Sequence, residues 1–173
     1  MSARPIIHLQ LCLPPEWEPI ESVRQAVSLC AQAVFGDSRF CDAVSMVSSE
    51  LLENAVKYGQ ARHPVLLVVE ERPDEVIVRV VNRVVNGSKH VKVLLDRIAW
   101  MKSFDTPMAM YTAALEAAYH DPTGGGLGIV RVVYEGGCRV ECEVLDSGDL
   151  CVTARCDGPR RRASSVELCA ETP

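Results

Sequence analysis

One segment limits the possible folds of this chain more than any other. Between about Phe40 and Tyr58 apolar residues recur every three to four positions, and Gly59 follows where a helix C-cap is expected. The spacing predicts one helix with two unlike stripes. Val44, Val47, Leu51, Ala55 and Tyr58 make an apolar stripe that has to face a core. Glu50, Asn54 and Lys57 fall at i, i+4 and i+7 and make a polar stripe beside it. The rest of the chain must supply what the apolar stripe packs on.

Strand-like and helix-like periods alternate around that segment. Ile7, Leu9, Leu11 and Leu13 alternate with His8, Gln10 and Cys12, predicting a half-buried strand that Pro14 and Pro15 end. A helix over about Ile20 to Phe35 follows, with Val23, Val27, Cys30 and Val34 at helical spacing, and Gly36-Asp37-Ser38 breaks it. Val65–Glu70 and Val76–Val81, joined across Pro73-Asp74, predict a β-hairpin. Residues 84–123 then read as a helical insert, with one piece around 91–101 and another around 107–119 that Pro107 can start. Glycines at 124–126 lead into a helix ending near Glu135. Strands over Arg139–Leu145 and Leu150–Arg155 flank the turn Asp146-Ser147-Gly148-Asp149.

Segregated strands and helices in this order predict an α+β fold: a two-layer sandwich with a mixed, mostly antiparallel sheet and helices on one face. The pattern lacks the regular βαβ alternation of a doubly wound sheet. Residues 1–156 are expected to form one domain, and 157–173 a mobile tail. That tail carries Arg160-Arg161-Arg162 followed by Ser164 and Ser165. The basic run is short and the domain acidic, which favours a solvated tail over a nucleic-acid or phosphorylation handle.

Composition narrows the function classes. Of 173 residues 48% are hydrophobic and 24% charged, enough apolar material for a core and too much for a disordered chain. Lys plus Arg is 18 against 23 Asp plus Glu, a formal charge of -5, which speaks against bulk binding to nucleic acid or anionic membrane. The longest apolar runs, such as Val65 to Val69, are strand-sized, and the N-terminus shows no small-residue cleavage site. A cytoplasmic location is expected. The 8 cysteines, Cys12, Cys30, Cys41, Cys138, Cys142, Cys151, Cys156 and Cys169, are scattered through apolar patterns, and buried free thiols are the simplest expectation. None forms a CxxC pair, and Cys138 and Cys142 are spaced too far along a strand for an ordinary zinc chelate. His8, His63, His90 and His120 stand in no partnered motif and read as surface or core residues.

Two motifs carry chemistry. A carboxylate, an amide and an ammonium on one helix face, Glu50, Asn54 and Lys57, can serve as base, Mg²⁺ ligand and phosphate contact, although the same spacing also suits a solvated Glu–Lys face. In Thr123-Gly124-Gly125-Gly126-Leu127-Gly128-Ile129-Val130, four glycines in five residues open an apolar helix. Backbone N–H groups can converge there on an anion, or the run can be a plain flexible turn. No Gly-Lys-Ser/Thr follows, so it is not a Walker A loop. The third glycine of a dinucleotide fingerprint would fall on Ile129, which excludes that motif too.

Taken together and in this order, the pair resembles the N box and the glycine-rich G2 box of the GHKL ATPases, the superfamily of gyrase B, Hsp90 and histidine kinases. Glu50-Leu51-Leu52-Glu53-Asn54-Ala55-Val56-Lys57-Tyr58 looks like an N box, and Gly124-Gly125-Gly126-Leu127-Gly128 like a G2 box. The strand, proline and first helix before the N box are similar to the anti-sigma-factor kinases of that superfamily. The helical insert and Val130-Arg131 further resemble SiaB-type protein kinases. The resemblance spans about residues 7–156 and implies a Bergerat, or histidine-kinase-like ATPase, fold.

The resemblance also implies roles. Glu50 would be the general base, Asn54 would hold Mg²⁺ on the triphosphate of ATP, and Lys57 would touch phosphate. Gly124, Gly125, Gly126 and Gly128 would form the hinge and phosphate-binding part of an ATP lid. Where the superfamily has Asp-x-Gly-x-Gly, this chain has Val81-Asn82-Arg83-Val84-Val85-Asn86-Gly87. Asn82 would meet the adenine amino group with an amide oxygen instead of a carboxylate. The implied activity is transfer of the ATP γ-phosphate to Ser or Thr of a partner-switching protein, a STAS-like antagonist or a SiaC-like protein. The alternative is a catalytically inactive module of the same fold that sequesters a sigma factor or signalling partner. With no phospho-acceptor histidine helix, a two-component kinase is disfavoured, as are gyrase-type and Hsp90-type roles. Anti-sigma kinases often pair, so a homodimer is compatible with the resemblance.

Overall fold

The computed structural model describes residues 6–85, 87–120 and 126–158. Within them the chain is an α+β protein: five helices and a five-strand antiparallel open sheet packed against helices. The order is β1 (His8–Leu13), α1 (Glu18–Phe35), α2 (Ser38–Tyr58), β2 (Val65–Glu71), β3 (Glu75–Arg83), α3 (Lys89–Met101), α4 (Pro107–His120), α5 (Leu127–Tyr134), β4 (Cys138–Val144) and β5 (Asp149–Asp157). The strands lie in the order β1-β2-β3-β5-β4, and all four pairings are antiparallel, so the expected mixture of directions is corrected to a uniform one.

Periodicity predicted the elements well, and the differences have local causes. The first helix begins two residues before Ile20 because Pro19 sits in its first turn, where no backbone N–H is needed. Strand β3 runs past Val81 to Arg83 because Asn82 and Arg83 still face Leu150 and Asp149 on β5. The Arg83 guanidinium bridges to the Asp149 carboxylate at 2.5 Å and closes that end of the ladder. On α1 the buried stripe is Ile20, Val23, Val27 and Ala31, whereas Cys30 is exposed.

The core lies between the sheet and the helices. Val65, Leu67 and Val69 of β2 and Val76, Val78 and Val80 of β3 are almost fully buried, and so are Val44, Val47, Leu51 and Leu52 of α2. That is the apolar stripe of the diagnostic helix, with Leu52 added and Tyr58 only half-buried at the helix end. Helix α2 is thereby fixed against β2, β3 and β5, and its polar stripe is turned to one side of the core. Among the described residues no helix is long and apolar enough to cross a membrane.

The cysteine expectation needs correcting. Cys138 and Cys156 form a disulfide, and Cys12 and Cys30 are exposed; among the described residues only Cys41 and Cys151 are buried free thiols, with Cys142 intermediate. The bond follows from strand register. Cys138 faces Cys156 directly across the β4–β5 pair, which brings the two Cβ atoms within bonding reach. Separation along the chain conceals that juxtaposition. Asp157, expected to begin the tail, still pairs with Glu75 as the last residue of β5, while Cys169, Thr123, Gly124, Gly125 and residues 159–173, with Arg160 to Arg162, Ser164 and Ser165, lie outside the described residues.

Candidate nucleotide pocket and its neighbour

The polar stripe of α2 borders two hollows. The larger, of about 690 Å³, is floored by Val80 and Asn82 of β3 and Leu150 and Val152 of β5, with Leu51, Asn54, Ala55, Lys57 and Tyr58 of α2 along one wall. Its other wall is α3, which contributes Val91, Leu94, Arg97 and Trp100, and Gly126 and Ile129 close the end. Its size is within the range of ~300–1,000 Å³ that small-molecule sites occupy, and its lining is mostly apolar with a few polar groups, as such sites are.

Three glycines explain how tightly these parts meet. A Cβ at Gly128 would overlap the Glu50 carboxylate and lie 3.8 Å from Asn54 Nδ2, so the helix after the glycine turn packs its bare backbone onto the two key residues of α2. Gly126 has φ +88°, a left-handed conformation that other residues rarely adopt, and it forms the N-cap of α5. Gly59 ends α2 as predicted, but for a different reason: its φ of -75° is open to any residue. Glycine is needed there because a Cβ would overlap Ala55 O and come within 2.8 Å of Asn82 Nδ2.

Of the residues singled out from sequence, Asn54, Lys57, Asn82 and Gly126 line the larger hollow, and Gly128 touches Glu50 and Asn54. Asn82 is 5% exposed, and its amide makes a long 3.4 Å hydrogen bond to Arg83 O. Lys57 is exposed at the rim, its ammonium 5.2 Å from the centre of the Tyr58 ring.

Glu50 faces the other way. It borders a second hollow of about 470 Å³ with Trp17, Ile20, Glu21, Arg24, Met46, Ser49, Glu53 and Arg131. Arg131 of α5 donates from Nη1 to Glu50 Oε1 at 2.5 Å and from Nε to Glu135 at 2.9 Å. The Glu50 side chain is only 13% exposed, and burial pushes its pKa above the ordinary carboxylate value even though Arg131 pulls it down. Burial is the largest effect there, and the nearby negative charges of Glu53 and Glu135 add to it. Hydrogen bonding to Arg131 holds Glu135 itself below the usual carboxylate range.

Several members of these sites carry no signal in the chain. His90, set aside as an isolated histidine, lines the larger hollow with its ring 4.9 Å from that of Tyr58. Arg97 and Trp100 belong to the insert, whose helical pattern was visible but whose position over the pocket was not. Arg131 meets Glu50 across 81 residues of sequence.

No protein-family model matches the chain, and no curated protein is similar enough in sequence to be matched with it.

Proposed function

We propose that the chain binds Mg·ATP in the larger hollow and transfers the γ-phosphoryl group to a Ser or Thr of a protein partner, as a regulatory kinase of a partner-switching system. The fold would then be a Bergerat, or histidine-kinase-like ATPase, sandwich with its helices on one face of the sheet. One observation carries the reading: the backbone at Gly128 lies on Glu50 and Asn54, while Asn54, Lys57, Asn82 and Gly126 line one cavity of nucleotide size. Residues from three parts of the chain, α2, β3 and the start of α5, come together at or beside this cavity.

The lining suits the ligand. Apolar Val80, Ile129, Leu150 and Val152 can bury a flat base, and the buried Asn82 amide offers it a polar edge without charge. At the other end, Asn54 would hold Mg²⁺ through the phosphates, Lys57 would neutralise phosphate charge, and glycines 126 and 128 would let backbone approach closely. Bound Mg·ATP would supply the phosphoryl group and a metal that offsets charge on its oxygens. The work left to the protein is to position the groups and to move one proton.

Glu50 is the group placed to take that proton. It faces the second hollow, so the acceptor hydroxyl would reach it from that side. A raised pKa would make its carboxylate a stronger base, and Arg131 pulls in the opposite direction, toward the ionised form. Phosphorylation would place about two negative charges in the partner interface and release or switch the complex. The partner expected is a STAS-like antagonist or a SiaC-like protein.

The Glu50–Arg131 pair also favours a second reading. A base already held by a guanidinium is occupied, and Asn82 lacks the charge of an aspartate, so the chain could instead be an inactive module that binds a sigma factor or signalling partner. Transfer of labelled phosphate from ATP to a STAS-domain antagonist decides between them. The kinase reading expects incorporation that Glu50→Ala abolishes. Partner capture without incorporation, indifferent to nucleotide, supports the binding module.

A further inference from the structure

The insert helix α3 contributes one group that the motif-based roles leave unused. The Arg97 guanidinium lines the larger hollow, and among the described residues its Nε is the buried side-chain nitrogen or oxygen without a hydrogen-bond partner. Its Cζ lies over the Trp100 ring, 4.3 Å from the ring centre. Such a contact leaves the N–H donors of a guanidinium free. A Cβ at Gly126 would stand 3.5 Å from Arg97 Nε, so the backbone of Gly126 lies directly beside that group.

The surrounding charges sharpen the contrast. Arg24 and Arg131, which line the second hollow, spend their guanidinium groups on Glu21 and on Glu50 with Glu135. Among the described residues the only carboxylate lining the larger hollow is Asp96, and Lys92 holds it at 2.6 Å. Among the described residues Arg97 and Lys57 make no ion pair, and Arg97 also bears the cost of partial burial, which lowers its pKa. A guanidinium withdrawn from water without an anion is unfavourable until one arrives. Lys57 on α2, Arg97 on α3 and the backbone at Gly126 present donors from three elements to one space.

We propose that Arg97 is a phosphate-binding residue of this pocket, which fixes the polyphosphate of the nucleotide from the α3 side opposite Lys57. The assignment rests on the nucleotide reading for the identity of the ligand. The anion itself is inferred from the unpaired guanidinium. Arg97 thereby couples the insert to ligand: an anion in the pocket ties α3 to the N-terminus of α5.

Calorimetric titration of the full chain with Mg·ATP, inorganic tripolyphosphate and adenosine tests this, comparing wild type with Arg97→Met. Methionine keeps the apolar stem over Trp100 and removes the fork. The expected result is about tenfold or greater weakening of ATP and tripolyphosphate, the loss typical of a hydrogen bond to a charged group, with adenosine unchanged. Unaltered ATP and tripolyphosphate binding by the variant overturns the proposal. Parallel loss of adenosine overturns it too, because Arg97 would then be a strut for Trp100. Arg97-dependent tripolyphosphate binding without adenosine binding keeps the phosphate role and sinks the nucleotide reading. A wild type that binds neither ATP nor tripolyphosphate sinks both. Should Arg97→Met not fold, Arg97→Gln, with a planar uncharged head over the ring, is read in the same way.

Discussion

The two hollows beside α2 both carry basic side chains and leave them in opposite states. In the smaller one every guanidinium has its carboxylate: Arg24 has Glu21, and Arg131 has both Glu50 and Glu135. In the larger one Arg97 and Lys57 have none among the described residues, and Asp96 is turned to Lys92. Paired charges hold a shape; unpaired ones in a partly dry wall await a ligand. The difference teaches where to look for each half of the proposed reaction. On the proposed reading the larger hollow would take the anionic small molecule, and the smaller one would have to open a charge pair before its carboxylate could work.

Substitutions can break or sharpen that contrast, and the largest effect belongs to Glu50. Glu50→Gln should lower the rate of phosphate incorporation by ~10²–10⁴-fold, the usual worth of a general base, while leaving ATP affinity nearly unchanged, since Glu50 lies outside the nucleotide pocket. A rate assay beside a titration reads both, and a parallel loss of affinity would merge the two hollows into one site. Lys57→Ala comes next. It should weaken ATP by about tenfold or more and spare adenosine, because a charge-assisted contact to phosphate would be lost.

Gly128→Ala separates stability from function. A methyl there would displace the Glu50 carboxylate, so incorporation should drop at least about tenfold, whereas alanine in a helix is favoured over glycine by about 0.5–1 kcal/mol. The variant should melt no lower than wild type in a thermal scan. A clear loss of stability would mean that the contact is structural.

The pH dependence of the two carboxylates on Arg131 should run in opposite directions. Burial raises the Glu50 pKa above its unfolded value, so its stabilising contribution is present below the ordinary carboxylate range and is lost as pH rises through the raised value. At pH 7 to 8 Glu50→Gln should therefore melt at the same temperature as wild type or higher, with the gap closing below about pH 4. Glu135 is depressed by its hydrogen bond to Arg131, so its contribution is present at neutral pH and lost on acidification. At 37% side-chain exposure the pair is partly screened, and Glu135→Gln should cost under about 1 kcal/mol at pH 7 in denaturant titrations. Matching signs for the two variants would contradict the asymmetry.

Much of the fold could be read from the chain because its elements announce themselves locally. The alternation in β1, the stripes of α2 and the Pro-Asp turn between β2 and β3 all depend on neighbours within a few positions. The polar stripe of α2 was legible for the same reason, although the structure divides it, with Asn54 and Lys57 on the larger hollow and Glu50 on the smaller. What escaped was whatever depends on distant parts meeting. Nothing near residue 97 shows that α3 roofs the pocket; in isolation Arg97 is one more charge on an amphipathic helix. The Glu50–Arg131 pair and the Cys138–Cys156 bond are products of packing and of strand register. Even Gly59 was legible only in position, because part of its reason is the close approach of Asn82 on β3.

The claim on which the rest depends is that the larger hollow takes a nucleotide with Asn82 in place of an aspartate. Calorimetric titration of ATP into the purified wild-type chain with Mg²⁺ tests it directly. The account predicts saturable binding at one site, competed by adenosine. No binding up to millimolar ATP would contradict it, and the search would then turn from substrates to protein partners.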